Sequence, residues 1–181
     1  MSVLTATTSM RTLEDLVRRL GGVLVEKAMG LRESRLAAFL IGLLNAFVVP
    51  KNPGVVLAPD GAMEIMPDLV RIPDVAFLNW DRMSGRQLPT DPVPQLVPNL
   101  TVEVLSRSNT PGEMAVKRQE YFAAGVELVW EIDPVARTVA VYTSAANPTT
   151  LGVGDSLTGG VVLPGFSVAV SDLFAELDRQ G

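Results

Sequence analysis

Apolar residues recur at helical spacing between Leu31 and Val49, where Leu36, Phe39, Leu40, Leu43, Leu44 and Phe47 form one broad face before Pro50 and Pro53. The pattern predicts the longest helix of the chain, laid across a sheet. Upstream, Thr12 to Leu20 reads as a short helix, with Thr12 placed to cap it, Glu14 and Asp15 in its first turn, and Gly21 and Gly22 to stop it. The segment VLVEK after it reads as a strand. Further along, GVVLAP, LVRIPDVAFL and LTVEVLS read as strands, with a turn at Pro59-Asp60-Gly61 and a weaker strand at AMEIM. From Asn79 to Asn99 four prolines and Gly85 predict a long loop, either functional or a mobile surface excursion.

The second half of the chain is more sharply punctuated. Thr110 can cap a helix that has Pro111 at its first position and Glu113 completing a capping box, and Gly125 stops it after Ala124. ELVWEID follows as a buried strand, Asp133 and Pro134 turn the chain, and TVAVYTS pairs back as a hairpin. In TLGVGDSLTGGVVLPGFSVAV short strands are divided by Gly154-Asp155 and Gly159-Gly160, which suggests an extension of the sheet, and SDLFAEL gives a last small helix. The order of elements implies an α/β domain around one mixed sheet, and the length of 181 residues suits a single domain over residues 1–181.

Three charges break this apolar pattern. Asp74 lies in PDVAFL and Glu103 in LTVEVLS, both acids within apolar strands, while Lys117 shares a helical stripe with Met114 and Tyr121. Burying them costs free energy unless they are paired or bind an ion. If their strands are neighbours, Asp74 and Glu103 can share a divalent cation. A helix folding back over the sheet can aim Lys117 at them, where an ammonium can orient a water and stabilise charge on a phosphate. Taken singly, each has an ordinary structural explanation: a turn cap, a strand ion pair, a lysine reaching out to solvent.

Composition narrows the chemistry. The chain has no cysteine and no histidine, which removes disulfides, thiol nucleophiles, imidazole bases and the usual zinc sites. The remaining donors are oxygens, suited to magnesium or manganese. A net charge of −5 counts against strong nonspecific affinity for nucleic acid, although Arg71, Arg82, Arg86, Arg107, Lys117 and Arg118 flank the acidic motif and could form a positive rim. No stretch approaches twenty uninterrupted apolar residues, and the first ten lack the pattern of a secretory signal. The expectation is a cytoplasmic protein with no membrane association.

PDVAF, LTVEVLSRSNTPGEM, the segment KRQEYFAAGVELVWEIDP that starts at Lys117, and LPGF near the C-terminus resemble the Uma2 (DUF820) family, within the PD-(D/E)XK restriction-endonuclease-like superfamily. The similarity extends from about Leu13 to Phe174. It implies a restriction-endonuclease-like core of helix, three strands, helix and strand, with a mixed central sheet and an added C-terminal β-hairpin. By position, Asp74 resembles the superfamily's metal-binding aspartate and Glu103 its second acid. Leu105 stands where the usual lysine would be, and Lys117 corresponds to a lysine migrated to the next helix. Glu26 in VLVEK is the counterpart of an additional N-terminal acid, with Glu33 as its rival. Family members often carry a histidine near Glu33, and this chain has none. The resemblance implies metal-dependent hydrolysis of DNA phosphodiester bonds using Mg2+ or Mn2+. The alternative is a catalytically inactive binding or assembly protein that retains the nuclease fold. A homodimer would suit cleavage of both strands of a duplex.

Overall fold

A parallel pair of strands joined through a helix organises the structure, and everything else is added to its edges and faces. The computed structural model describes residues 29–180. The elements expected at Thr12 to Leu20 and at VLVEK, including Glu26, lie outside the described residues. The first described helix, α1 (Leu31–Lys51), runs through Pro50 rather than stopping before it. A proline so close to the end of a helix forfeits one backbone bond, and the turn closes on Asn52, left-handed at φ 50°, whose N–H donates to the Val48 carbonyl at 2.8 Å.

Ten strands and two more helices follow: β1 (Gly54–Leu57), β2 (Met63–Met66), β3 (Leu69–Arg71), β4 (Val75–Asn79), β5 (Leu100–Val104), α2 (Pro111–Ala124), β6 (Leu128–Asp133), β7 (Thr138–Tyr142), β8 (Thr149–Leu151), β9 (Ser156–Gly159), β10 (Leu163–Ala169) and α3 (Val170–Ala175). The main sheet has the order β1-β4-β5-β6-β7-β8. Only β5 and β6 are parallel, and α2 is their crossover; the other pairs are antiparallel.

Two expectations about strands need correction. LVRIPDVAFL is not one strand: Pro73 supplies no N–H to a ladder, so the segment divides into β3, which pairs with β2 in a separate hairpin, and β4, which joins the main sheet. The C-terminal stretch is only partly a sheet extension. β8 pairs with β7, whereas β9 and β10 form their own two-stranded ribbon.

The two faces of the sheet are covered differently. On one, Leu36, Ala37, Leu40, Leu44 and Val48 of α1 pack with Val75, Phe77, Val102, Trp130 and Ile132, and with Phe166, Leu173 and Phe174 from the C-terminal ribbon and α3. α1 is long and apolar enough to cross a bilayer by length and composition, and in this fold that stripe covers the sheet. On the other face Ala76, Leu78, Val129 and Tyr142 pack with Tyr121 of α2 and with Met63 and Ile65 of the β2–β3 hairpin.

The segment from Asn79 to Asn99 is held down at several points. It contains two short 3-10 turns, Trp80–Arg82 and Ser84–Arg86, and it buries Met83 and Val93. Glu64 of β2 anchors it by donating its N–H to the Pro94 carbonyl at 3.0 Å and by accepting from the Gln95 amide at 3.2 Å.

Candidate active site

The capping box read from the sequence fixes where α2 begins. Thr110 Oγ1 accepts from the Glu113 N–H at 3.3 Å and the Glu113 carboxylate accepts from the Thr110 N–H at 2.9 Å, with Pro111 at the first helical position. Glu103 is one residue from the end of β5, so the short connection through Ser106 and Asn109 brings α2 directly back over it. One turn and a half into the helix, the Lys117 ammonium donates to Glu103 Oε2 at 2.8 Å. Tyr121, one turn further, donates its hydroxyl to Glu103 Oε1 at 2.6 Å. Both oxygens of this buried carboxylate are therefore fixed, one by a charge and one by a neutral donor.

Asp74 sits one residue before β4, not inside it. Its position still matters: β4 and β5 pair Val75 with Val102 and Ala76 with Thr101, so the same register sets Asp74 opposite Glu103. Asp74 Oδ2 accepts the Val104 N–H at 2.7 Å, which ties the loop before β4 to the end of β5. Burial pushes the Asp74 carboxyl up to about 6, and the neighbouring Glu103 charge pushes it the same way. The Val104 N–H and Lys117 oppose the shift without cancelling it, and Glu33, from the first turn of α1, adds to it. Glu33 is thus electrostatically within reach of Asp74. Glu26 lies outside the described residues.

Two groups of this site were not assigned from the sequence. Glu131 of β6 lies opposite Glu103 in the parallel register and is only 6% exposed. Arg118 donates to Glu131 Oε1 at 2.6 Å. Glu103 and Glu131 therefore lie side by side on β5 and β6, with Asp74 just before the start of β4 in line with them. The signal for Glu131 was the one used for Glu103, an acid within an apolar strand. Tyr121, on the same helical stripe as Met114 and Lys117, packs in the core at 1% exposure and also bonds Glu103. Burial, followed by the Glu103 charge, holds its hydroxyl well above the ordinary range, so it remains a donor. Among the described residues no group of three acidic side chains converges into a metal-ligand cluster.

The expected positive rim is largely consumed internally. Arg71 pairs with Glu120, Arg82 with Glu127 at 2.8 Å, Arg86 with Asp81 at 3.8 Å, and Arg118 with Glu131. Arg107 is exposed on the connection leading into α2.

Residues 10–171 match the model of the Uma2 family, described as "Putative restriction endonuclease". The chain belongs to the Uma2 family. A search of curated proteins finds no match. Among solved structures, the chain is similar to "a putative nuclease belonging to DUF820" from Anabaena variabilis, with a TM-score of 0.73 and 19% sequence identity over 84% of this chain and 86% of that one. At that identity the likeness shows the fold, an α/β arrangement with a mixed central sheet shared with that DUF820 protein. The Uma2 description and this fold together support a nuclease, an enzyme acting on phosphodiester bonds.

Proposed function

We propose that this Uma2 protein is a metal-dependent endonuclease that hydrolyses DNA phosphodiester bonds, with Asp74 and Glu103 as its metal-binding acids and Lys117 as its catalytic cation. One observation carries the reading: two carboxylates brought opposite each other by strand register, with an ammonium delivered to one of them from the following helix.

The donor set fits a hard divalent ion. It is made of carboxylate oxygens, and Asp74 Oδ1 has no hydrogen-bond partner among the described residues. The Glu103 charge raises the cost of ionising Asp74, which a cation between them would offset. When bound, Mg2+ or Mn2+ supplies Lewis acidity to the scissile phosphate and makes a water a better nucleophile. Asp74 and Glu103 hold the cation, with Glu26 or Glu33 as the additional acid. Tyr121 keeps Glu103 from turning away. Lys117, 31% exposed and so open to solvent and substrate, orients the attacking water and stabilises charge on the phosphate.

The second reading, a binding or assembly protein that retains the fold without catalysis, is favoured by the internal pairing of Arg71, Arg82 and Arg118, which leaves less cationic surface for DNA. Cleavage of supercoiled plasmid with Mg2+ or Mn2+ separates the two. The unmodified protein should nick or linearise the plasmid, while Asp74→Ala and Lys117→Ala should not. Equal residual cleavage by all three would remove the catalytic reading.

A further inference from the structure

Lys117 and Arg118 are consecutive on α2, so their side chains leave the helix about 100° apart and cannot share a direction. Both nevertheless end on buried acids of the sheet, at positions that are opposite one another in the parallel register of β5 and β6. The two cations therefore anchor α2 to both strands of the parallel pair, one to each. Apolar contact holds the helix down through buried Met114 and Tyr121 and through partly buried Phe122 and Ala124. Such contact is non-directional, and would let the helix roll.

The Arg118 site is built to resist that rolling. Its Nη1 lies 2.6 Å from Glu131 Oε1, its guanidinium lies 4.5 Å from the centroid of the Tyr142 ring, and the Tyr142 hydroxyl is 3.4 Å from Glu131 Oε2. Its side chain is 15% exposed and that of Glu131 is 7% exposed. Arg118 Nε is buried without a hydrogen-bond partner among the described residues, so the guanidinium is held by one arm, the ring face and the charge.

We propose that Arg118 and Glu131 are positioning residues that set the rotation of α2 and thereby hold the Lys117 ammonium on Glu103. The inference rests on the nuclease reading for its effect on catalysis, but not for its effect on Lys117. Among the described residues no side-chain hydrogen bond or ion pair joins Arg118 or Glu131 to Asp74 or Glu103. The pair acts through the helix: a roll that moved Arg118 off Glu131 would carry Lys117, its immediate neighbour, off Glu103.

The test replaces both members together, Arg118→Met with Glu131→Leu, so that neither charge is left buried alone. In the metal-free protein the Lys117 ammonium is observed by nitrogen-15 NMR and assigned by its loss in Lys117→Ala. The expected result is a sharp ammonium signal in the unmodified protein that broadens or shifts in the double variant while the fold is retained. In plasmid cleavage kcat should fall about tenfold, with KM for DNA and the Mg2+ midpoint unchanged. The same double change should cost nothing further in a Lys117→Ala background. An unaltered Lys117 signal overturns the proposal whatever the rate. If Lys117→Ala cleaves as well as the unmodified protein, the nuclease reading fails and the NMR result alone decides the positioning role. Should the apolar pair not fold, Arg118→Lys keeps the charge, loses the planar fork, and is read in the same way.

Discussion

Asp74, one residue before β4, takes the Val104 N–H of β5 at 2.7 Å and so lies beside Glu103, whose charge adds to the rise of its pKa. The arrangement stabilises position and destabilises charge at once. Asp74 is held in place by a donor that favours its ionised form, yet burial and the adjacent acid dominate and raise its pKa. A site that strains its own ionisation in this way has a measurable signature in stability.

The sign of that signature follows from linkage. Asp74 titrates near 6 when folded against a reference of 3.8, so between these values the folded state binds more protons than the unfolded one. Its contribution is therefore most favourable below about pH 4 and is lost as pH rises through 6, a loss of order 2–3 kcal/mol. Asp74→Asn, which keeps an oxygen to accept the Val104 N–H, should flatten this dependence and raise stability at neutral pH. Denaturant titrations at a series of pH values would show it, and parallel curves for the two proteins would contradict it.

Divalent cation should act in the opposite direction on the unmodified protein. At about one hundred times its dissociation constant a single-site ligand stabilises by about 2.7 kcal/mol. Mg2+ or Mn2+ should therefore raise the melting temperature of the unmodified protein at neutral pH and leave that of Asp74→Asn nearly unmoved. This readout does not depend on cleavage.

Tyr121→Phe preserves the ring in the core and removes the hydroxyl that Glu103 Oε1 accepts at 2.6 Å. Losing a hydrogen bond to a buried charged group costs about 1.5–3 kcal/mol. Urea unfolding should report a loss in that range. A change below about 0.5 kcal/mol would mean that the carboxylate finds another donor without cost.

At the N-terminus of α2, Thr110→Ala removes one half of the capping box and should cost about 1 kcal/mol by urea unfolding.

Gly54→Ala tests the edge of the sheet. A Cβ at this position would stand 1.9 Å from the Leu78 carbonyl oxygen, a backbone atom that cannot swing aside. Displacing β1 from β4 should cost about 1–3 kcal/mol, read from the denaturation midpoint.

What the sequence disclosed depended on how local each signal was. The start and stop of α2 were legible because Thr110, Pro111, Glu113 and Gly125 act on their own backbone within a turn or two. The alternation within each strand was legible too, since it needs only the two-residue period. That Asp74 comes beside Glu103 depends on the pairing of β4 with β5, which the sequence left conditional. The division of LVRIPDVAFL at Pro73 was not legible, because both halves have strand composition and only the ladder shows that they belong to different sheets. Glu131 escaped for a related reason: its partner is set by the adjacency of β5 and β6 and by the crossing of α2, neither of which is written within ELVWEID. The rim arginines show the same limit, since the charges are visible in the sequence but their pairing with Glu120, Glu127 and Asp81 is a property of the fold.

The way α2 is attached to the sheet has a consequence for local opening. α2 is docked by a short apolar contact (Met114, Tyr121, Phe122 and Ala124) together with ion pairs to Glu103, Glu131 and Arg71, whereas α1 is docked by a long apolar stripe. Added salt screens these largely buried pairs only weakly. With the shorter apolar contact, the amides of α2 should exchange with deuterium ahead of those of α1, and the gap should change little with ionic strength. On that account the layer carrying Lys117 can lift while the sheet beneath it stays folded.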